Sequence, residues 1–407
     1  MSGGVVGFPF GRPLYVLTKA AGAACNLGCK YCYYLEKASL LSDSPSNQMM
    51  DDELLELFIR QYIEAQTMPE VSFTWHGGEP LLRPIAFYEK ALSLQHRYAQ
   101  GRAVSNSIQT NGTLLTDEWC RFLKQNDFLV GISIDGTAAV HDAYRKYKDG
   151  VRGSHAEVLR GIELLRKHEV EYNIMAVVND RNVNDPVGFY RYLKSLGTAF
   201  IQFAPIVERV LSDGRLAHVQ SEGYSAMSSH SVLPEQWGAF LCTIFDDWVR
   251  HDVGQVFVQL FDATLANWMG VDPGICTMAK YCGHAGALEH DGALYSCDHF
   301  VFDPYRLGNI RKQSILELMN DPRQLRFGRD KFDKLPRQCQ ECEYQFACWG
   351  ECPKNRFTRD NYGEQGLNYL CAGYYRFFDY VAPYMDRMKA LIQQQLPPAQ
   401  IMREINH

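Results

Sequence analysis

The sequence predicts an α/β protein built from right-handed parallel βα units, followed by a region rich in cysteine. Six apolar, β-branched segments alternate with stretches whose apolar residues recur at helical spacing. Polar segments follow the second, third and fourth predicted strands, which is where parallel βα folds place their chemistry. Together these observations indicate an open barrel or a doubly wound sheet, and a further region that folds around metals.

The predicted strands are short, rich in β-branched and aromatic residues, and bounded by turn-forming residues. They are Leu14–Thr18, Val71–Trp75, Ser105–Gln109, Leu129–Ile134, Tyr172–Val178 and Phe200–Ile206. We predict amphipathic helices between them, for example across residues 54–62, after an acidic first turn at 51–53, and across residues 158–165.

The second half of the chain follows a different pattern. Residues 211–234 are rich in Ser, Gly and Glu, which predicts a linker or long loop. Helices are expected near Trp237–Val249 and Tyr374–Ile392, and the cysteine-rich stretch between them has little periodicity. The predicted domains are therefore a βα core at 1–234, a helical connector at 235–275, a cysteine-rich domain at 276–371 and a C-terminal helix at 372–407.

Composition excludes several classes of protein. Of 407 residues, 46% are hydrophobic and 22% charged, so the chain can bury a core and is not disordered. A net charge of −6 argues against general binding of nucleic acid or anionic membranes. No segment reaches the ~18 uninterrupted apolar residues of a membrane-spanning helix, and the first residues lack the basic segment of an export signal. We expect a cytoplasmic protein.

Cysteine is unusually abundant and unevenly placed. Eleven of the thirteen cysteines lie in two groups, Cys25–Cys32 and Cys276–Cys371. Disulfides are rare in a reducing cytosol, so clustered thiols in a large intracellular chain are interpreted first as metal ligands. Cys120 and Cys242 stand apart and are interpreted as small apolar core residues.

The first group, Cys25-x-x-x-Cys29-x-x-Cys32, follows the first predicted strand on a loop. Three thiolates can hold three irons of a cubane cluster and leave the fourth iron open for another ligand. Structural zinc requires four protein ligands, and no nearby Cys or His completes such a set. An iron–sulfur cluster is predicted, with zinc and inert thiols as the alternatives.

This spacing, with Tyr31 before the last cysteine, resembles the signature of the radical S-adenosylmethionine (SAM) superfamily. The segment Gly77-Gly78-Glu79-Pro80 is similar to the GGEP segment with which that family contacts the SAM amino group. A GGEP tetrapeptide alone indicates no more than a turn, whereas its combination with the cysteine motif is specific. The resemblance implies a partial (βα)6 radical SAM barrel, with a [4Fe-4S] cluster on the three cysteines.

The same resemblance assigns further contacts with SAM. Ser133, at the end of the fourth strand, and Arg145 would hold the SAM carboxylate, which an arginine fork matches bidentately. Ile206, at the end of the sixth strand, would pack near the adenine. An exposed Arg145 without a ligand, and Ile206 as a plain core residue, are the alternatives.

The C-terminal run Cys339-x2-Cys342-x5-Cys348-x3-Cys352 resembles the SPASM domain of radical SAM enzymes that modify peptides. The resemblance implies a first auxiliary [4Fe-4S] cluster on Cys276, Cys282, Cys297 and Cys352. It implies a second on Cys339, Cys342, Cys348 and Cys371. Zinc ribbons are the alternative for such pairs. Clusters with four cysteine ligands have no open iron, which suits electron transfer and hence an oxidation.

Over nearly its whole length the chain resembles the anaerobic sulfatase-maturating enzymes, which oxidise a Cys or Ser of a sulfatase to Cα-formylglycine. The resemblance implies that Asp298, after Cys297, takes the thiol or hydroxyl proton after a 5′-deoxyadenosyl radical has removed a Cβ hydrogen. An auxiliary cluster would accept the electron. Tyr34 would line the substrate cavity. An aspartate in a plain turn and a tyrosine in the core are the alternatives.

Proton transfer from a free thiol to an ordinary aspartate is uphill by about 6 kcal/mol. Burial near an anionic cluster is expected to raise the pKa of Asp298 and reduce that gap. The implied partners are an unfolded sulfatase polypeptide with the motif Cys/Ser-x-Pro/Ala-x-Arg and a low-potential electron donor such as ferredoxin or flavodoxin.

Two other interpretations stay open at this point. Another SPASM peptide modifier, such as a thioether-forming or quinone-cofactor maturase, would share every cluster motif. A non-catalytic, zinc-stabilised interaction protein would be colourless, whereas three cubanes predict a brown protein with about 12 irons per chain.

Overall fold

The structure is a computed structural model that describes residues 12–40, 49–217, 219, 221, 223, 224 and 226–406. It divides into two compact units. The first comprises the described residues of 1–132, 144–172 and 281–329, and the second those of 133–143, 173–280 and 330–407. The predicted α/β class is confirmed, because parallel strands alternate with helices. The domain boundaries predicted from the sequence stay predictions.

The strands of the described residues follow the six predicted segments and continue beyond them. They are β1 (Tyr15–Thr18), β2 (Glu70–Trp75), β3 (Ala103–Thr110), β4 (Phe128–Ser133), β5 (Tyr172–Val178), β6 (Phe200–Pro205), β7 (Arg209–Val210), β8 (Leu216–Ala217), β9 (Ala226–Met227), β10 (Phe257–Val258), β11 (Ala285–Leu288), β12 (Ala293–Tyr295), β13 (Arg306–Asn309), β14 (Thr358–Arg359) and β15 (Gln365–Leu367).

The helices of the described residues vary in length from four to 23 residues. They are α1 (Tyr33–Leu40), α2 (Asp52–Ala65), α3 (Ile85–Tyr98), α4 (Asp117–Gln125), α5 (Ala138–Tyr144), α6 (His155–Lys167), α7 (Pro186–Ser195), α8 (Pro234–His251), α9 (Gln259–Met269), α10 (Ile315–Met319), α11 (Pro322–Asp333), α12 (Arg337–Gln340), α13 (Gln345–Cys348), α14 (Cys371–Gln393) and α15 (Ile401–Ile405).

The first unit is built on a sheet whose strands β1 to β4 run parallel. Thr18 at the end of β1 pairs with Trp75 at the end of β2, so the carboxyl ends of these strands meet at one edge. Helix α2 covers β2: the Phe58 and Tyr62 rings lie 5.7 and 5.0 Å from the ring of Phe73. Buried aromatic contacts of this kind stabilise a helix on a sheet beyond the area they bury.

The cysteine-rich region is more regular than its composition suggested. Strand β11 joins β1 in parallel, and β12 and β13 follow in antiparallel order. Ala287, Ala293, Tyr295 and Val301 form a buried apolar cluster there. The expectation that this region folds around its metals more than around a core is therefore wrong for its first part, because its strands extend an existing sheet.

The second unit combines parallel strands with a large helix pair. Strands β5, β6 and β10 pair in parallel. Helix α14 packs closely on α8 at Gly373, where a Cβ atom would collide with the carbonyl oxygen of Pro234. The segment predicted as a linker, residues 211–234, contains strands β8 and β9, which pair antiparallel with β7 just before it. Its residues 218, 220, 222 and 225 lie outside the described part.

Among the helices of the described residues, none has the length and apolar character that crossing a bilayer requires.

Candidate active site and cluster-binding loops

The loop after β1 holds the first cysteine group in a network of amide contacts. Leu27 N–H donates to Cys25 Sγ at 3.4 Å, and the Asn111 side-chain amide lies 3.8 Å from the same sulfur and 2.9 Å from Asn26 Oδ1. Burial, and next Glu79, raise the pKa of the Cys25 thiol to about 12. Metal binding would have to offset this preference for the thiol form, whereas the two N–H groups that donate to the sulfur suit a thiolate ligand of iron.

The GGEP segment packs against this loop, and its glycines are required there. Gly77 and Gly78 have φ values of +82° and +48°, which favour glycine. A Cβ on Gly78 would overlap the carbonyl oxygen of Ala24, the residue before Cys25. Glu79 N–H donates to the same carbonyl at 2.7 Å. The two glycines therefore bring the segment into contact with the cysteine loop.

The carboxylate of Glu79 is buried and fully engaged within the protein. It accepts hydrogen bonds from Thr110 Oγ1 at 2.6 Å, Asn111 N–H at 2.8 Å and Leu81 N–H at 2.9 Å. Burial raises its pKa to about 7, although the hydrogen bonds act in the opposite direction. Glu79 thus ties the ends of β2 and β3 together, and its contact with SAM stays a prediction.

Arg145 is placed as a ligand-binding residue would be. It is only 8% exposed, which contradicts the alternative of an exposed side chain. Its guanidinium lies 5.7 Å from the ring centroid of Tyr31, the aromatic residue of the cysteine motif. Ser133 and Ile206 belong to the second unit, where Ile206 is buried. The SAM contacts assigned to these residues stay predictions.

Asp298 lies at the start of a short 3-10 helix, Asp298–Phe300, and is buried. Its Oδ1 forms an ion pair with Lys19, which is fully buried at the end of β1. Its Oδ2 accepts a hydrogen bond from the hydroxyl of Tyr33, and its main-chain carbonyl accepts one from the ammonium of Lys37. Three side chains from the start of the chain therefore converge on Asp298, and its role as the base stays a prediction.

The electrostatics of Asp298 differ from the sequence-based expectation. Burial raises its pKa, but the nearby charges of Lys19 and Lys37 lower it more, and the pKa lies well below its usual range. The expectation of a raised pKa was wrong because neither lysine had been assigned to the site. Asp298 is an ionised carboxylate at neutral pH, and a proton acceptor must be in that state.

His76 connects this ion pair to the GGEP segment. Its Nδ1 accepts a hydrogen bond from Gly77 N–H at 2.7 Å and lies 2.9 Å from Lys19 Nζ. Burial, and next Lys19, lower the pKa of His76 to about 3, so the ring is neutral. Because Nδ1 accepts, the proton lies on Nε2. A continuous chain of contacts therefore runs from Asp298 through Lys19 and His76 to Gly77.

Tyr34 belongs to the same cluster. Its hydroxyl donates to Oε1 of Glu289, and the Lys19 ammonium lies 4.5 Å from its ring centroid. Glu289 is fully buried, and among the described residues its Oε2 has no hydrogen-bond partner. Tyr34 is thus a buried residue of the core whose hydroxyl joins a polar network, and its contact with substrate stays a prediction.

Sequence reasoning missed the lysines, His76, Tyr33 and Glu289. A signal existed for Lys19, which directly follows a strand and precedes the cysteine loop, and for His76, which directly precedes the two glycines. Both positions lie at the carboxyl end of a parallel strand, where such folds place functional side chains.

In the second unit, the four cysteines predicted for the second auxiliary cluster interact with one another. Burial is the largest cause of the raised pKa of all four thiols. Neighbouring cysteines raise the pKa further: Cys342 acts on Cys339, and Cys339 acts on both Cys348 and Cys371. Cys371 also acts on Cys348, and Cys342 on Cys371. A grouped set of half-buried or buried thiols matches the donor set of a cubane.

The loop between Cys348 and Cys352 has an unusual backbone. Trp349, Gly350 and Glu351 have φ values of +48°, +68° and +54°, and two of the three are not glycine. The Arg356 guanidinium donates to all three of their carbonyls at 2.6 to 3.1 Å. Such strain persists only where the surroundings impose it, which is typical of ligand sites.

The four cysteines assigned to the first auxiliary cluster are divided between the units. Cys276 and Cys352 belong to the second unit, and Cys282 and Cys297 to the first. The Cys276 loop is held by buried Lys331, whose ammonium donates to three main-chain carbonyls at 2.5 to 2.8 Å. The ligand set itself stays a prediction.

In the part of the chain that the structure describes, no three His, Cys, Asp or Glu side chains converge to hold a single metal ion. A cubane makes a different demand, because each thiolate binds its own iron and the sulfurs are spread around the cluster.

Comparison with known proteins decides the family. A family model described as the radical SAM superfamily matches residues 21–193, and one described as an iron–sulfur cluster-binding domain, SPASM, matches residues 282–343. A curated relative from Bacteroides thetaiotaomicron, described as a serine-type anaerobic sulfatase-maturating enzyme, is 58% identical over 98% of this chain and 96% of its own length. This chain belongs to the anaerobic sulfatase-maturating enzymes.

Other members of the sulfatase-maturating family are more distant. A cysteine-type relative from Clostridium perfringens is 32% identical over 91% of this chain and 97% of its own length. A solved structure of anSMEcpe with bound AdoMet and Cp18Cys peptide has a TM-score of 0.82, 31% identity, and covers 94% of this chain and 100% of its own. The radical SAM and SPASM assignments are confirmed, and the zinc-protein interpretation is wrong.

Proposed function

We propose that this chain oxidises a serine or cysteine residue of a sulfatase polypeptide to Cα-formylglycine, using SAM and three [4Fe-4S] clusters. The observation that carries the proposal is the buried, ionised carboxylate of Asp298, next to Cys297 and contacted by Lys19 and Tyr33. The proposal is also supported by the 58% identity to a serine-type enzyme over nearly the whole chain.

The residues that would hold the cofactors are those described above. Cys25, Cys29 and Cys32 would bind the first cluster, and the GGEP backbone with Arg145 would bind SAM. The two C-terminal sets of four cysteines would bind the auxiliary clusters. When bound, these groups would supply the 5′-deoxyadenosyl radical that removes a Cβ hydrogen atom and would accept the second electron.

Asp298 would take the remaining proton from the substrate hydroxyl or thiol. A serine would then be an aldehyde directly, whereas a cysteine would be a thioaldehyde that water hydrolyses to the aldehyde with release of hydrogen sulfide. Its depressed pKa makes transfer from an intact thiol uphill by more than the roughly 6 kcal/mol of an ordinary aspartate. The transfer would therefore accompany loss of the electron from the substrate rather than precede it. Lys19 and Tyr33 would fix the two carboxylate oxygens, so that the acceptor is oriented before the substrate arrives.

We propose a seryl residue as a substrate, because the relative at 58% identity is serine-type and the one at 32% is cysteine-type. The motif Cys/Ser-x-Pro/Ala-x-Arg, a ferredoxin or flavodoxin as electron donor, and a cytoplasmic location complete the proposal.

The test uses anaerobically reconstituted protein with SAM, a low-potential reductant and two peptides that differ only in Ser or Cys at the target position. Mass spectrometry should show an aldehyde in place of the serine side chain, together with 5′-deoxyadenosine. Formation of 5′-deoxyadenosine with both peptides unchanged would contradict the assigned substrate. A cross-linked peptide without aldehyde would indicate another SPASM-type modification.

A further inference from the structure

The second unit contains a cavity of about 570 Å³ that the proposed chemistry does not use. It lies at the amino ends of β5, β6 and β10, where Asn173, residues 200–202 and Phe257 line it. The first turns of α9 and the loop 272–275 complete its wall. Parallel sheets place their reactive groups at the opposite, carboxyl ends of strands, so a ligand here would be held apart from those groups.

Asp262 is a half-buried carboxyl group that lines this cavity. The lining residues include no Lys, Arg or His. Burial alone raises the pKa of Asp262 to about 7, and among the described residues it has no ion pair. The other acidic lining residue, Asp272, accepts a hydrogen bond from Gly274 N–H at 2.7 Å. A bound cation would supply the charge that Asp262 lacks.

Two exposed aromatic rings lie on the same cavity. Phe200 and Phe257 are paired across β6 and β10, with ring centroids 5.0 Å apart and planes within 13°. They are 53% and 39% exposed, although both are large apolar side chains. Exposed aromatic faces beside an anion favour a flat cation, which stacks on the rings while it pairs with the carboxylate.

The remaining polar groups are carboxamides. Gln202 donates to Gln259, and Asn173 adds a third amide. Ala263 and Ala266 present small side chains along α9, which leaves room beside Asp262. Carboxamide oxygens accept hydrogen bonds from N–H groups that a single carboxylate cannot satisfy.

We propose that this cavity binds the guanidinium group of an arginine side chain in the polypeptide substrate. A guanidinium is planar, stacks on aromatic faces and pairs bidentately with a carboxylate, so it uses every feature of the cavity. A lysine ammonium is compact and strongly hydrated, and it gains less from the rings. The inference rests on the proposed function, since it takes the substrate to be a polypeptide.

The test measures binding of fluorescently labelled substrate peptides to the anaerobically reconstituted protein by anisotropy. Each arginine of the peptide is replaced in turn by citrulline, which has the same shape without the charge. One such replacement should raise Kd about tenfold for the unmodified protein. The same replacement should change Kd less than about twofold in Asp262→Asn, because the charge partner is already absent.

Two further variants control for structural damage. Phe257→Leu keeps an apolar side chain but removes the ring, and should weaken binding of the arginine peptide more than of the citrulline peptide. Asp333→Asn changes an exposed aspartate elsewhere in the second unit, and should leave both values of Kd unchanged. Free arginine should compete with the peptide only at far higher concentration, because the proposed ligand is part of a polypeptide.

Three results would overturn the inference: no effect of citrulline at any position, equal weakening of both peptides by Asp262→Asn, or competition by free arginine with the affinity of the peptide. Oxidation of the seryl peptide is followed in parallel. If the peptide is oxidised but the effect of citrulline on Kd does not depend on Asp262, only this inference fails. If the coupling is present but no aldehyde forms, only the proposed function fails.

Discussion

Asp298 in the first unit is buried and Asp262 in the second is half-buried, and their electrostatics are opposite. Burial raises the pKa of each carboxyl. Around Asp298 the lysines Lys19 and Lys37 reverse the effect, whereas the described residues that line the Asp262 cavity include no Lys, Arg or His. Burial alone therefore does not set the pKa of a carboxyl group in this protein, because neighbouring cations can outweigh it.

The two sites therefore differ in whether the protein itself supplies a cation for the carboxylate. The Asp298 site carries its own counter-ions and holds an ionised acceptor in a fixed orientation. The Asp262 cavity is electrostatically incomplete and is expected to gain its cation from a ligand.

The largest effect should come from removing the cluster that makes the Asp298 site reactive. Replacing Cys25, Cys29 and Cys32 together by Ala should lower the iron content from about 12 to about 8 per chain. Formation of 5′-deoxyadenosine should fall to background. Cys120→Ala, at a buried cysteine outside both groups, should keep the iron. Unchanged iron in the triple variant would contradict the ligand assignment.

Removing Lys19 should leave Asp298 without its ion-pair partner, which brings its electrostatics closer to those of Asp262. Lys19→Met leaves a buried charge without its partner, which costs about 3–5 kcal/mol and should lower the melting temperature. Lys19→Met combined with Asp298→Asn should recover more than half of the loss. A single variant as stable as the unmodified protein would show that the ion pair is not a structural element.

The sign of the pH dependence follows from the depressed pKa of Asp298. Its ion pair contributes stability above the unfolded-state pKa of about 3.9, and the contribution is lost as the pH falls through the lower folded-state value. The difference in stability between the unmodified protein and Lys19→Met should therefore shrink below about pH 4. Thermal unfolding across pH 3 to 7 measures it.

Asp262→Asn should act in the opposite direction on stability. Because the folded-state pKa is raised to about 7, the ionised carboxylate costs stability that grows as the pH rises from about 4 to 7. In the absence of peptide, Asp262→Asn should gain about 1–2 kcal/mol at pH 8, discounted for partial exposure, and almost nothing at pH 4. Destabilisation at pH 8 would mean that Asp262 already has a favourable partner.

The smallest effect is expected at an exposed carboxylate that has cations beside it. Hydrogen bonds from Lys167 and His168 lower the pKa of Asp117 to about 2. Its contribution is present above about pH 4 and is lost as the pH falls towards 2. Because water screens exposed charges, Asp117→Asn should change the melting temperature at pH 7 by less than about 2 °C. A large change would show that burial is not what separates strong from weak pairs in this protein.

Much of the fold followed from local pattern. The six predicted strands match β1 to β6 to within two residues at each end, because alternating β-branched segments bounded by turns identify strands well. The pairing of β11 with β1 was not predictable, since it joins segments about 270 residues apart and no local signal marks it.

The site was predictable only in part, for a related reason. Cysteine spacing and Asp298 next to Cys297 are visible in the sequence. The burial of Lys19 is not, because lysine is almost never fully buried unless it is paired, and its partner lies far along the chain. The Asp262 cavity depends on strands and a helix whose mutual packing the sequence does not display.

Asp298→Asn removes the carboxylate that we propose takes the substrate proton. The variant is reconstituted beside Asp303→Asn, which changes an exposed aspartate five residues away. With the seryl peptide, Asp298→Asn should still form 5′-deoxyadenosine, while aldehyde formation should fall by about 10² to 10⁴. Asp303→Asn should retain both products. Aldehyde formation at an unchanged rate in Asp298→Asn would contradict the account.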